Sequence, residues 1–255
     1  MAELQNRWGA QAQDRAQGRA GSTVDIDAGL RSYMLRVYNY MALGIAFSAI
    51  VTLALMSQPA LMRTIAMGPM KWVLFAAVLG LGWFSHRIIY SGNQMMAQGA
   101  YWLYCALWGA MIAPMIFAFV SRGAGEVVGQ AFAVTAVTFG AVSLFGYTTK
   151  KNLSAFATFF AIASIGLLVA MLVNAFLVKS TGMSLIVSCG VVLLFAAITA
   201  WETQEIKQMY VEGAHNGEAA GYFTSSAIFG AFLLYGSFVT LFTNILNILG
   251  IVRSD

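Results

Sequence analysis

Seven stretches of mostly apolar residues, near 34–56, 71–90, 99–120, 127–147, 154–178, 183–202 and 223–250, follow one another along the chain. A bilayer core about 30 Å thick is crossed by a helix of about 20 such residues. The pattern therefore predicts seven membrane-spanning helices. The breaks carry turn or polar chemistry: Ser57-Gln58-Pro59, Met67-Gly68-Pro69, Ser91-Gly92-Asn93-Gln94, Ser121-Arg122-Gly123, the segment 148–152 and Lys179-Ser180-Thr181-Gly182. Most are short, so consecutive helices are expected to be antiparallel neighbours. The longest internal connection is expected at about 203–222, with Glu205, Lys207, Glu212, His215 and Glu218. No internal repeat of the inverted-transporter kind is visible.

Composition agrees with the pattern. Of 255 residues, 60% are hydrophobic and 9% charged, against about 25% charged in an ordinary soluble domain. Residues 1–30 are the exception, rich in Gln, Ala, Gly, Arg and Asp, and without the apolar core of a cleavable signal peptide. They read as a flexible, polar, uncleaved tail, and 31–252 as one seven-helix transmembrane domain. Cys105 and Cys189 lie inside apolar stretches, where thiols behave as small hydrophobes.

The net charge of +4 would suggest nucleic acid in a soluble protein, but here the basic residues sort by side. Arg7, Arg15, Arg19, Arg31, Arg36, Arg87, Lys150, Lys151 and Lys207 fall on one side, and Arg63, Lys71, Arg122, Lys179 and Arg253 on the other. The positive-inside rule makes the first set cytoplasmic, with the N-terminus inside. Lys150 and Lys151 are then topology anchors, and no nucleic-acid partner is expected.

No phosphate-cradling G-x-x-x-x-G-K-[ST], H-E-x-x-H or G-x-S-x-G occurs, and only His86 and His215 are present. No enzyme, cofactor or histidine-rich metal centre is expected. What remains are ionisable groups near membrane depth, which are functional hypotheses by default. Glu202 ends the sixth apolar run. If it faces the bundle interior it is a proton-responsive group, opposed by any cation such as Arg87 nearby; if not, it marks the helix–water boundary beside an interfacial Trp201. Arg87 ends the second run on the same side, and either meets Glu202 across the bundle or snorkels to lipid phosphate. In the seventh run Ser226, Gly230, Ser237, Thr240, Asn244 and Asn247 recur at steps of three, four or seven. That face either packs against other helices or lines a hydrated path.

Two stretches carry a family resemblance. One runs from Ala131-Phe132 to Val142-Ser143-Leu144-Phe145-Gly146-Tyr147-Thr148-Thr149-Lys150-Lys151-Asn152-Leu153-Ser154, and the other is Ala200-Trp201-Glu202-Thr203-Gln204-Glu205-Ile206-Lys207. With them the chain from about 30 to 250 resembles the transmembrane Bax inhibitor motif family, also called the Bax inhibitor-1 family, in a bacterial form. The resemblance implies an all-α bundle in which a central, rather polar last helix is surrounded by six others, in a bacterial inner membrane. It also implies a pH-sensitive calcium leak. In that scheme acids on the sixth and seventh helices share a proton, and an arginine on the second latches the closed state. These map to Glu202, Ser237 and Arg87: the sixth-helix acid is Glu where Asp is commoner, and Ser237 stands where the second acid should be. Asn152 likewise replaces a usual Asp. A Glu–Ser pair has one charge fewer to share a proton or attract Ca²⁺. The alternative function is a non-conducting regulator that binds a membrane protease or stress-response partner, with residues 1–30 as its handle.

Overall fold

The computed structural model describes the backbone of residues 2–254 and the side chains of 28–253, except those of Pro59 and Met67. The expected tail over 1–30 lies almost wholly outside the described side chains.

The chain forms α1 (Ala2–Met56), α2 (Pro59–Met67), α3 (Met70–Ile89), α4 (Gln94–Val120), α5 (Gly125–Thr148), α6 (Ala157–Val173), α7 (Thr181–His215) and α8 (Ala220–Ser254). A single 3₁₀ turn, Ser154–Phe156, leads into α6, and a π turn, Asn174–Val178, ends it. There is no strand among the described residues. Seven helical segments are long and apolar enough to cross a membrane: Ala28–Met56, Met70–Ile89, Gln94–Val120, Gly125–Thr148, Ser154–Val178, Thr181–His215 and Ala220–Arg253. The expected spans match them in number and order. Helix α2 is a short extra element, opened by Pro59 at its first position, where a missing N–H costs nothing.

Helix α8 is the hub. Of its most apolar window 78% is buried, against 6% for the fifth span. It packs on α1, α3, α4, α5 and α7. Ile228, Leu234, Tyr235, Leu241 and Leu246 are all fully enclosed, and the buried Ser226 and Ser237 lie among them. Rather than six helices in a ring around α8, five pack on it, and α6 packs chiefly on α7. This is why α6 exposes Phe159, Ile162, Ile165 and Val169, a face suited to lipid.

The long connection expected at 203–222 is not a loop. Helix α7 continues to His215, leaving only 216–219 between it and α8. The apolar run does end near Glu202, but Thr203, Gln204 and Ile206 are buried against the bundle. Packing of these side chains carries the helix on beyond the point where hydropathy fades. At 1.5 Å per residue, the 35 residues of α7 span about 52 Å, well beyond a bilayer core of about 30 Å.

Candidate functional site

Glu202 lies on α7 where that helix meets α8, and is 8% exposed. Ser237 of α8, itself 2% exposed, donates its hydroxyl to Glu202 Oε2 at 2.7 Å. A buried carboxylate is tolerated only with donors or cations about it, and Ser237 is the donor that the described residues supply. The interior placement of Glu202 therefore prevails over the helix–water boundary.

The pair opens on a cavity of about 330 Å³ whose wall includes Ser85 of α3, Tyr104 and Trp108 of α4, Phe195 of α7 and Thr240 of α8. The polar part of this wall is small. Ser85 gives its hydroxyl to Gly82 O at 2.7 Å, so its oxygen serves mainly as a lone pair toward the space. Among the described residues no three His, Cys, Asp or Glu side chains gather to hold a metal. A calcium ion takes six to eight oxygens. Glu202, Ser237, Ser85 and Thr240 would make a sparse set beside that number.

Arg87 is not brought to Glu202. It is exposed on α3, and the ion pair found among the described residues joins Arg253 to Glu126 at the opposite end of the bundle. The reason is helical phase. Val78, Ser85 and Ile89 are the buried residues of α3, and Arg87, two positions from Ser85, points about 200° away from that face. Ser85 is the residue that sequence reasoning missed. Its signal was available: it is the single hydroxyl of α3, seven positions after the buried Val78.

The polar positions of α8 divide by height. Ser226 is fully buried and bonds its own helix at Phe223 O, 3.3 Å away. Ser237 and Thr240 face the cavity with Glu202. Asn244 donates to Thr240 O at 2.8 Å, and Asn247 donates to Ser184 Oγ at 3.0 Å and Ser188 Oγ at 2.8 Å, both on α7. A second cavity, of about 420 Å³, is lined by Asn174, Ser184, Ser188, Thr243, Asn244 and Asn247 among others. The face thus packs at Ser226 and Asn247 and lines hollow space between them.

The two motif stretches meet in space. Gln204 accepts from Leu153 N at 2.8 Å and donates to Lys151 O at 2.9 Å. Ser154 donates to Glu205 at 3.3 Å, and Lys207 donates to Tyr147 O at 3.2 Å. Asn152 caps the turn by accepting from Ser154 N at 2.9 Å, a bond that Asp would make equally well. One layer deeper, Tyr38 of α1 bonds Ser143 at 2.6 Å, and Ser143 bonds Thr203 at 2.9 Å. The α5–α6 connection is thereby fastened to the turns of α7 that carry Glu202.

Comparison with known proteins agrees with this architecture. Residues 30–254 match the family model described as "Inhibitor of apoptosis-promoting Bax1". The "Inner membrane protein YbhL" of Escherichia coli (strain K12) is 32% identical over 235 residues, covering 91% of this chain and 97% of the relative. An uncharacterized protein of Deinococcus radiodurans is 36% identical over 221 residues, 86% of this chain and 90% of its own. "Uncharacterized protein RP147" of Rickettsia prowazekii is 33% identical over 224 residues, 88% and 91% respectively. With seven spans, five of them packed on the seventh besides one that packs on its neighbour, and a family match over nearly the whole bundle, the chain belongs to the Bax inhibitor-1 family and is a multi-pass membrane protein.

Proposed function

We propose that this protein is a pH-modulated cation leak of a bacterial inner membrane, with Ca²⁺ as the transported ion and the N-terminus cytoplasmic. The observation that carries the reading is the carboxylate of Glu202, enclosed in the membrane bundle with Ser237 as its hydrogen-bond donor and a cavity beside it. A buried acid without a counter-cation is governed by its surroundings. A change in its proton occupancy changes what Ser237 can donate to, and hence how tightly α7 and α8 close. From this pair Thr240, Asn244 and Asn247 continue along α8 to the second cavity. The location rests on the likeness to YbhL, named as an inner membrane protein, and the orientation on the excess of Lys and Arg at the end holding Arg31, Arg36, Arg87, Lys150, Lys151 and Lys207.

The test is Ca²⁺ entry into liposomes holding a calcium-sensitive dye, followed from pH 6 to 8. Entry that varies with pH in the parent and loses that variation in Glu202→Gln supports the leak. Flux unaffected by Glu202→Gln overturns it. One observation favours a second reading, a non-conducting regulator of another membrane complex: the partner of Glu202 is a hydroxyl and not a second acid. Under that reading the parent shows no flux, Ser237→Asp produces it, and deleting residues 1–30 abolishes partner binding.

A further inference from the structure

Between α1 and α5 runs a groove of about 840 Å³, walled by Leu35, Tyr38, Gly140, Ser143, Leu144 and Tyr147 and reaching Arg31 at one end. We propose that this groove is a binding site for one anionic phospholipid, its acyl chain along α5 and its phosphate at Arg31.

Three features select that occupant. First, the groove is apolar where it meets the bilayer. Leu35 and Leu144 are largely exposed along it, and a β-carbon on Gly140 would meet no other residue within 4 Å. Secondly, the hydroxyls of Tyr38 and Ser143 in its wall are already used. Tyr38, Ser143 and Thr203 satisfy one another in a chain, so the wall asks for no polar ligand along its length. A hydrocarbon tail fits the stretch past Tyr38 and Ser143, whereas a polar solute there would forfeit its own hydrogen bonds. Thirdly, among the described residues the charged side chain lining the groove is Arg31, at one end. Arg31 is exposed at the mouth. Against Tyr147 of the groove wall, Lys207 lies over the ring, 4.9 Å from its centroid, and spends one of its N–H donors on Tyr147 O. An ammonium has three, leaving the others for a phosphate oxygen. A basic pocket between membrane helices above an apolar channel is the arrangement that recognises anionic headgroups.

The site is independent of ion flux, so its test reads binding. Full-length protein in mild detergent is offered equal amounts of phosphatidylglycerol and phosphatidylcholine, and native mass spectrometry counts what stays bound. The expected result is one retained phosphatidylglycerol, preferred by about fivefold, the factor one basic residue adds for an anionic lipid. Arg31→Gln should remove most of the preference. Gly140→Leu should displace lipid of both kinds, with thermal melting near the parent's showing that the bundle remains folded. Gly140→Ala should bind like the parent, and so should Arg122→Gln at the far end. Equal retention of the two lipids by the parent, or unchanged retention in both Arg31→Gln and Gly140→Leu, overturns the proposal. So does a parent that retains no lipid but dimerises, with Gly140→Leu monomeric, which would give the groove to a second copy of the chain.

Discussion

Gly146 of α5 presses on the backbone of Ala200 of α7 so closely that a β-carbon at 146 would fall inside the Ala200 carbonyl oxygen. This is the close approach that small residues permit between membrane helices. It holds α5 against α7 two residues before Glu202. Gly146→Ala should therefore force the helices apart and cost about 1–3 kcal/mol, the usual penalty of overpacking, read as a lowered melting temperature in bicelles. Gly140→Ala on the same helix, with open space before it, should leave stability almost unchanged.

Glu202→Gln keeps an acceptor for Ser237 while removing the charge. Folding should survive, and the pH dependence of flux between 6 and 8 should flatten. Glu202→Leu instead strands the Ser237 hydroxyl, which accepts or donates nowhere else among the described residues. It should behave as a folded protein with no pH response, measured in the same liposome assay.

Gln204 holds the backbone of the α5–α6 connection from both ends of its amide. With a net worth of about 0.5–1.5 kcal/mol per hydrogen bond, Gln204→Ala should cost about 1–3 kcal/mol in an unfolding titration. It should also raise hydrogen exchange at Leu153 N, the amide that loses its acceptor. Gln204→Glu retains that acceptor, and should protect Leu153 N while losing the bond to Lys151 O.

Asn247 joins α8 to α7 through Ser184 and Ser188. Interhelical bonds in membranes average about 0.6 kcal/mol each, so Asn247→Leu should destabilise by about 1 kcal/mol. In the Ser184→Ala, Ser188→Ala background the same substitution should cost measurably less.

The ion pair of Arg253 with Glu126 is half exposed on both sides. Exposed pairs contribute about 0–1 kcal/mol and are screened by salt. Glu126→Gln should shift the melting temperature little, and not at all in high salt.

Some of the site could be read in the residues and some could not. The polar period of α8 placed Ser226, Ser237, Thr240, Asn244 and Asn247 on one face, but the period is silent about which of them would meet a neighbour and which a cavity. Arg87 was matched to Glu202 because both sit at helix ends on one side of the membrane. Such side-by-side logic fixes height alone. The rotation of α3 about its own axis is set by Val78, Ser85 and Ile89 burying together, and that rotation turns Arg87 outward. Thr203 and Gln204 stand in a motif stretch at the start of the expected connection with no role legible for either, because their partners Lys151, Leu153 and Ser143 lie 51 to 60 positions away and no local period records such distances.

The sequence by itself determined the seven spans and their order, since bilayer thickness converts run length directly into helices and backbone bonding inside lipid leaves no other structure. Only the tertiary structure decided that α7 continues past its apolar run, that α6 rides on α7, and that Glu202 is bonded to Ser237 and not to Arg87. These depend on helix rotation and on which side chains fill the gaps between packed helices, and packing of that kind is settled by the neighbours that the fold supplies.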